Sequence, residues 1–255
     1  MIYTNIRPAT FLERPNRFTA RVLADGRTVT CHVKNTGRCR ELLIPGADVL
    51  IQFHPDAKAA GRKTEFSLIA VWKNGRLVNM DSQAPNQAAW EWLSSAPELT
   101  GLRREVTFGN SRFDLAFEHQ GHSGFLEVKG VTLEENNVAR FPDAPTLRGV
   151  KHIRELTEIA GQGMEAAVLF VIQMKGVTRF EPNMATQPEF GLALRDAARA
   201  GVKIMARDCL VSCRASESEA ASGPDSGGSP GPDSSSPAGL TLSMSIDDPV
   251  PVILP

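Results

Sequence analysis

The residues with the most specific chemical potential in this sequence are Asp114, Glu127 and Lys129. Glu127 and Lys129 lie two positions apart in the stretch GFLEVK, so on a β-strand their side chains project from the same face. If this segment pairs with the preceding one as a hairpin, Asp114 joins them. Two carboxylates are the hard oxygen ligands that suit Mg²⁺ or Mn²⁺, and a neighbouring lysine positions water or offsets phosphate charge.

The order of an aspartate followed by Glu-x-Lys resembles the active-site pattern of the PD-(D/E)xK nucleases. Glu105, on the preceding predicted strand, is a candidate third metal ligand. The pattern is short, and Asp-x-Lys also occurs at residues 56–58, so the alternative is a ladder of surface salt bridges on a half-exposed hairpin. Pro142-Asp143 comes after the Glu-x-Lys strand, in the wrong order for this site. We expect Asp143 to cap the next helix, and the alternative is a loop carboxylate near the metal.

Basic side chains near the N-terminus predict contact with a polyanion. The candidate DNA-binding residues there are Arg14, Arg17, Arg21, Lys34, Arg38 and Arg40. Arginine and lysine neutralise phosphates whatever the base sequence, which indicates non-specific DNA binding. RNA, which has the same phosphates, is the alternative partner. The alternative is a solvated charged face.

The net charge of −1 over 255 residues is an average of unlike parts. Residues 1–85 carry 13 Lys and Arg against 7 Asp and Glu, a net charge of +6. Residues 86–213 carry 14 against 16, and residues 214–255 carry 1 against 6. The overall balance therefore does not exclude a polyanionic partner.

Residues 1–85 have the pattern of a small all-β domain. Short alternating segments are separated by turn signals at Asp25-Gly26, Pro45-Gly46 and Asn74-Gly75. About five strands without a long helix predict a small β-barrel of the oligonucleotide-binding (OB) type.

Residues 86–213 alternate predicted strands and helices, which indicates a mixed α/β domain. We expect helices over 87–95, 147–160 and 188–200, with a strand over 167–173 that is buried on both faces. Residues 214–238 are rich in Ser, Gly and Pro, which predicts a disordered linker. In the C-terminal segment, residues 239–255, the apolar stretch Val250–Leu254 is expected to be an edge strand.

Several classes of protein find no support in the sequence. It has no P-loop, no GxGxxG and no GxSxG, which leaves ATPases, dinucleotide-dependent enzymes and serine hydrolases without support. No apolar run reaches the roughly 18 residues of a membrane span. Four cysteines are too few for a disulfide scaffold, so we expect a cytoplasmic protein.

Longer stretches resemble the sugar fermentation stimulation protein A (SfsA) family. They are HVKNTGRCRELLIPG at 32–46, RKT at 62–64, APN at 84–86, GNSRFDLAF at 109–117, EVKGVTL at 127–133 and FPDAPTLRGVKHIREL at 141–156. The resemblance implies an OB-like domain followed by a PD-(D/E)xK nuclease-like mixed-sheet domain. It assigns Asp114, Glu127 and Lys129 to the nuclease-like positions, and adds Arg148 and Lys151 to the DNA-binding candidates.

Two functions follow from this resemblance. The first is a non-specific DNA-binding protein with a nuclease-like site that uses Mg²⁺ or Mn²⁺ for phosphodiester hydrolysis. The alternative is a non-catalytic DNA-binding regulator of sugar (maltose) metabolism. A sugar-responsive module is a third hypothesis, suggested by the family name alone. No helix-turn-helix is evident, so we expect no operator specificity.

Overall fold

The computed structural model of the protein describes residues 1–35, 37–215 and 239–255. Six strands come first along the chain: β1 (Ile2–Asn16), β2 (Thr19–Ala24), β3 (Arg27–Val33), β4 (Asp48–Phe53), β5 (Phe66–Lys73) and β6 (Arg76–Asn79). Strand β1 pairs antiparallel with both β2 and β4, and β3 pairs parallel with β5. The order β1-β2-β3-β5-β4 thus returns to β1, which is the closed ring of an OB domain.

The interior of this ring is filled by the inward-facing residues of its strands. Phe11, Val22 and Ile51 are almost fully buried there. The predicted turn between β2 and β3 is confirmed, because Asp25 and Gly26 both adopt a positive φ, 49° and 71°. The alternation predicted for β2 holds for Ala20 and Val22.

The second part of the chain is built on a mixed sheet with helices on both faces. Its elements are α1 (Ala84–Ser94), β7 (Leu99–Phe108), β8 (Ser111–His119), β9 (His122–Val131), β10 (Leu133–Glu135), β11 (Val138–Phe141), α2 (Leu147–Gly161), β12 (Glu165–Ile172), β13 (Arg179–Pro182), α3 (Pro188–Arg199), β14 (Lys203–Ala215) and β15 (Leu240–Pro249). Strands β9, β12 and β14 are parallel, whereas β7, β8 and β15 join antiparallel. The predicted mixed-sheet domain is therefore confirmed.

Local sequence explains how the central elements form. The run of apolar residues in β12 is buried on both sides, against α1 on one face and against α2 and α3 on the other. Helix α2 begins after Thr146, whose Oγ1 accepts the Gly149 N–H at 3.0 Å. The expectation that Asp143 caps this helix is therefore wrong, because the threonine next to the first turn takes that position.

Strand β15 corrects the expectation for the C-terminal segment. Residues 240–249 lie inside the large sheet, between β14 and β1, with Leu242 and Met244 buried. The predicted edge strand Val250–Leu254 is not formed, and Val252 makes one isolated bridge, to Phe180 of β13. Prolines at 249, 251 and 255 prevent a regular strand there.

Two further differences concern boundaries and short elements. Arg214 and Ala215 end β14, so the predicted linker of 214–238 begins later, and its residues 216–238 lie outside the described ones. Strands β10, β11 and β13 form a separate three-stranded sheet that the sequence pattern did not indicate. Among the described residues, no helix combines the length and apolar character needed to cross a membrane.

Candidate metal centre

Strands β8 and β9 place the two principal carboxylates together. The strands pair from His119↔His122 up to Leu115↔Leu126, and no pair is formed beyond that point, where Asp114 and Glu127 follow. The backbone N–H of Val128 donates instead to Asp114 Oδ2 at 2.8 Å. Where the pairing of β8 and β9 ends, the Asp114 carboxylate therefore takes the place of a backbone carbonyl as the acceptor for β9. This hydrogen bond holds Asp114 beside Glu127.

Helix α1 supplies a second contact to Asp114. The Asn86 side chain, in the first turn of the helix, donates from Nδ2 to Asp114 Oδ1 at 2.8 Å. Burial raises the pKa of Asp114, and the negative charge of Glu127 raises it further. A half-buried and a buried carboxylate that repel each other form a site which a cation would stabilise.

Glu127 is only 3% exposed and has one satisfied and one unsatisfied carboxylate oxygen. Oε1 accepts from Lys129 Nζ at 2.5 Å and from His152 Nδ1. Oε2 is buried and has no hydrogen-bond partner among the described residues. A buried acceptor without a donor is costly, and an ion or water at that position is its usual explanation.

His152 fixes the orientation of Glu127 from helix α2. The imidazole is buried, and its Nε2 accepts from Arg148 Nε at 3.3 Å. A guanidinium can only donate, so Nδ1 carries the hydrogen that goes to Glu127. Burial acts to raise the pKa of Glu127, but the hydrogen bond from His152 and the charge of Lys129 outweigh it, and the pKa is lowered.

Asp114, Glu127 and Lys129 are brought together, whereas Glu105 is not. Glu105 lies on β7 between Arg104 and Val106, whose partners on β8 flank Asp114. Its side chain is 63% exposed and pairs with Arg112 at 3.5 Å. The carboxylate is therefore engaged at the surface.

Among the basic residues of the N-terminal part, Arg14 has a structural role. Arg14 donates to the backbone carbonyls of Arg17, Asn35, Gly37 and Arg38 at 2.7–2.9 Å, so it shapes the loop that follows β3. Because its terminal nitrogens are used on these carbonyls, a role for Arg14 in direct phosphate contact is not supported.

The remaining DNA-binding candidates differ in whether their side chains form ion pairs with carboxylates. Lys34 pairs with the buried Asp81 at 3.0 Å, and Arg21 pairs with Glu13 at 2.5 Å. The exposed members are Arg17, Arg38, Arg40, Arg148 and Lys151. Of these, Arg148 also contacts His152, and Lys151 lies 3.6 Å from Glu155.

The first domain contacts the second at two places. The Arg38 backbone N–H donates to Asp143 Oδ2 at 3.0 Å, in the segment between β11 and α2. Gln173, at the end of β12, donates to the Asn79 and Asp81 carbonyls at 3.0 and 3.1 Å. These contacts hold the OB domain against the sheet that carries the carboxylates.

A second acidic cluster consists of Asp208, Asp247 and Asp248. Lys175 Nζ lies 3.1, 2.7 and 2.6 Å from their respective carboxylates. A lysine ammonium therefore neutralises the cluster. Among the acidic groups of the described residues, only Glu127 combines burial with an unsatisfied oxygen.

Sequence reasoning missed two residues of this centre. Asn86 lies in the APN stretch and His152 in the FPDAPTLRGVKHIREL stretch, and the sequence pattern assigns neither of them a role. The available signal for His152 was helical spacing, because Arg148 and His152 are four residues apart on α2 and so share a face.

Comparisons with known proteins cover nearly all the described chain. Residues 12–80 match the family model of the SfsA N-terminal OB domain, and residues 83–215 match that of the sugar fermentation stimulation protein RE domain. A sugar fermentation stimulation protein homolog of Desulfitobacterium hafniense is 55% identical over 213 residues, which is 83% of this chain and 92% of that protein. The homolog of Ruminiclostridium cellulolyticum is 53% identical over 214 residues, 83% of this chain and 93% of that protein.

One solved structure is similar over the whole chain. It is Pyrococcus furiosus SfsA in complex with Ca²⁺, with a TM-score of 0.76 and 25% sequence identity, over 100% of this chain and 98% of that one.

Proposed function

Since the chain belongs to the sugar fermentation stimulation (SfsA) family, we propose that it is a non-specific DNA-binding protein whose second domain holds a divalent metal for phosphodiester hydrolysis. One observation carries the proposal. Glu127 Oε2 is buried next to Asp114, at the point where β8 and β9 separate, and has no hydrogen-bond partner among the described residues. Lys129 lies on the same face of β9 as Glu127 and is the third residue of the proposed site.

The donor set fits a hard cation. Asp114 and Glu127 would hold the metal through carboxylate oxygens, with the Val128 carbonyl as a further oxygen ligand. Oxygen donors favour Mg²⁺, Mn²⁺ or Ca²⁺ over softer metals, and Mg²⁺ and Mn²⁺ suit phosphate chemistry. The relative from Pyrococcus furiosus, described in complex with Ca²⁺, supports a divalent cation in this fold.

The residues of the chain would divide the chemistry among them. Bound Mg²⁺ or Mn²⁺ supplies Lewis-acid stabilisation of the charge that develops on the phosphate. Lys129 holds and orients the attacking water and offsets phosphate charge. His152 keeps Glu127 Oε1 occupied, so Oε2 would be the oxygen left to hold the cation. Asn86 and the Val128 N–H each donate to a different oxygen of Asp114, so together they fix the orientation of its carboxylate.

DNA would reach this centre along the junction of the two domains. The exposed residues Arg17, Arg38 and Arg40 lie on the OB side, and Arg148 and Lys151 lie on α2. The contact between the Arg38 backbone and Asp143 supports a continuous path, because it brings the basic loop to the segment that leads into α2. Phosphate contacts of this kind hold a duplex without reading its sequence.

The remaining expectations form part of the proposal. We take residues 1–85 as the DNA-holding domain and 86–213 as the nuclease-like domain. We expect the protein to act in the cytoplasm, where its four unpaired cysteines would remain reduced.

A cleavage assay with matched variants tests the proposed activity. The purified chain is incubated with single- and double-stranded DNA and RNA in Mg²⁺ or Mn²⁺. Asp114→Asn and Lys129→Met are expected to lower the rate at least roughly 100-fold. Glu118→Gln, which changes another carboxylate on β8, is the control and should retain activity. No cleavage by the unaltered chain, or equal rates in all four proteins, contradicts the proposal.

A non-catalytic DNA-binding regulator is the second candidate. It is favoured by the ion pair between Lys129 and Glu127 and the hydrogen bond from His152, which compensate the glutamate without any metal. This function predicts DNA binding in the presence of EDTA, with affinity that falls steeply as salt increases. A log–log salt slope near zero would exclude phosphate contacts as the source of affinity.

A further inference from the structure

A small polar cavity lies at the junction of the two domains, beside the candidate metal centre. Its volume is about 170 Å³. The OB side contributes Asn35, Gly37 and Ser82. The other wall is formed by residues of the second domain: 130–133, Arg140, Phe141, Asp143 and Gln173. It is smaller than the ~300–1,000 Å³ typical of sites for drug-sized ligands, and larger than the ~30 Å³ that one water occupies.

The cavity has hydrogen-bonding groups and, among the described residues, one carboxylate without a cationic partner. Arg140 is paired with Glu135 at 3.2 Å and with Glu181 at 3.3 Å. Asp143 Oδ2 accepts only the uncharged Arg38 backbone N–H, at 3.0 Å. Because its arginine is paired and its aspartate is negative, the cavity suits a neutral polar group better than a phosphate.

Two amide side chains provide an acceptor and a donor. Gln173 is 1% exposed, and its hydrogen bonds within the described residues use Nε2, which leaves Oε1 as an acceptor. Oε1 lies 2.7 Å from the position that a Cβ on Gly130 would take, so it points at the cavity wall. Asn35 Oδ1 accepts the Gly37 N–H at 2.8 Å, which leaves its Nδ2 as a donor. An amide donor and acceptor are what proteins use to read the edge of a nucleobase.

Strand β9 links this cavity to the metal centre. Val131 lines the cavity and lies two residues beyond Lys129, on the same face of the strand. Two strand residues span ~6.6 Å, which is about one nucleotide step. A chain whose phosphate lies at Lys129 would therefore place a neighbouring nucleotide at the cavity.

We propose that this cavity receives a single nucleobase turned out of the DNA strand that enters the metal centre. The inference rests on the proposed DNA binding and deepens it, because it makes an unpaired or easily unpaired nucleotide the preferred substrate feature. Unpairing has an energetic cost that is smallest for a base already without a partner.

Binding is measured without cleavage, in EDTA, on two duplexes of equal length. One contains a single unpaired 2-aminopurine and the other has it paired. The unaltered chain is expected to bind the first roughly tenfold more tightly, and to shield its 2-aminopurine from quenching by acrylamide. Equal affinity for both duplexes would overturn the proposal that the cavity receives a nucleobase, but would leave the proposed DNA binding intact. Binding of neither duplex overturns both proposals.

Two variants test the cavity itself. Asn35→Asp keeps the Oδ1 that caps Gly37 but replaces the Nδ2 donor. Ser82→Phe fills the cavity from an exposed position. Each is expected to remove the preference for the unpaired base, with Ser82→Phe leaving the affinity for the paired duplex unchanged. Ser123→Phe, at an exposed serine at the start of β9, is the control. Folded variants with melting temperatures like the unaltered chain that retain the full preference would overturn the proposal.

Discussion

A single carboxylate oxygen governs the chemistry open to this protein. Glu127 presents one oxygen to Lys129 and His152, and its other oxygen is buried without a hydrogen-bond partner in the part of the chain that the structure describes. The imidazole of His152 determines which of the two oxygens is hydrogen-bonded. Because its Nε2 accepts from Arg148, its Nδ1 carries the hydrogen that is donated to Glu127 Oε1. His152 therefore acts through Glu127 and is a positioning residue for the proposed metal ligand.

We predict that His152→Gln weakens metal binding roughly 10–100-fold, the range found when the hydrogen-bond partner of a metal ligand is removed. Isothermal titration with Mn²⁺ measures this without relying on activity. His119→Gln is the matched control, because His119 also bonds a glutamate, Glu165 at 2.6 Å, but outside the centre. An unchanged dissociation constant for His152→Gln would show that Glu127 needs no support from α2.

At the scale of elements, regular patterns were predictable and exceptions to them were not. The hairpin at Asp25-Gly26, the buried strand β12 and helix α2 each follow from a local pattern, and all three are formed. Strand β1 is not indicated by a local pattern, because Pro8 and Pro15 interrupt its sequence. Strand β15 has clearly alternating apolar residues, but it directly follows the Ser/Gly/Pro-rich segment. The continuous apolar stretch Val250–Leu254 is therefore predicted as the strand instead.

The candidate site was predictable to a similar extent. Asp114, Glu127 and Lys129 could be grouped because strand alternation and a hairpin suffice to bring them together. Asn86 and His152 lie on helices that pack on opposite faces of the sheet. Their contacts depend on packing between elements, which no local pattern encodes. The same reason hid the role of Arg14, whose partners lie up to 24 residues away.

We predict that Arg14→Ala destabilises the protein by roughly 2–4 kcal/mol, because hydrogen bonds from a charged donor contribute about 1.5–3 kcal/mol each and the loop relaxes in part. Urea unfolding measures the loss. The exposed Arg40→Ala is the control, with an expected change within about 0.5 kcal/mol. If Arg14→Ala instead leaves stability intact and lowers only DNA affinity, Arg14 is a phosphate contact as the sequence first indicated.

At the scale of the whole molecule, β15 joins the two domains into one sheet. It pairs with β14 through Ala215↔Leu240 and with β1 through Tyr3↔Leu242. Because Ala215 and Leu240 are directly paired, the ends of the connection between them are already adjacent. A turn of a few residues is sufficient to span that gap.

We predict that replacing residues 216–239 by a four-residue turn preserves the fold and raises the free energy of unfolding by about 1–2 kcal/mol, because a shorter connection loses less entropy on closure. Thermal and urea unfolding measure the effect. The comparison is a chain that stops at Ala215, which should be much less stable because β1 and β14 lose their shared partner. Lower stability of the short-turn variant than of the unaltered chain would mean that the replaced segment contributes contacts.

The pairing of β1 with β15 also determines when the molecule can finish folding. Tyr3 and Leu242 are partners although 239 positions separate them. During synthesis the first strand leaves the ribosome long before its neighbour exists, so its hydrogen-bonding edge stays open while the rest of the chain is made. Contacts of such sequence separation form slowly. Strand β15 therefore closes the junction between the domains only after all the strands that precede it in the sequence have been made, and the proposed binding path forms only then.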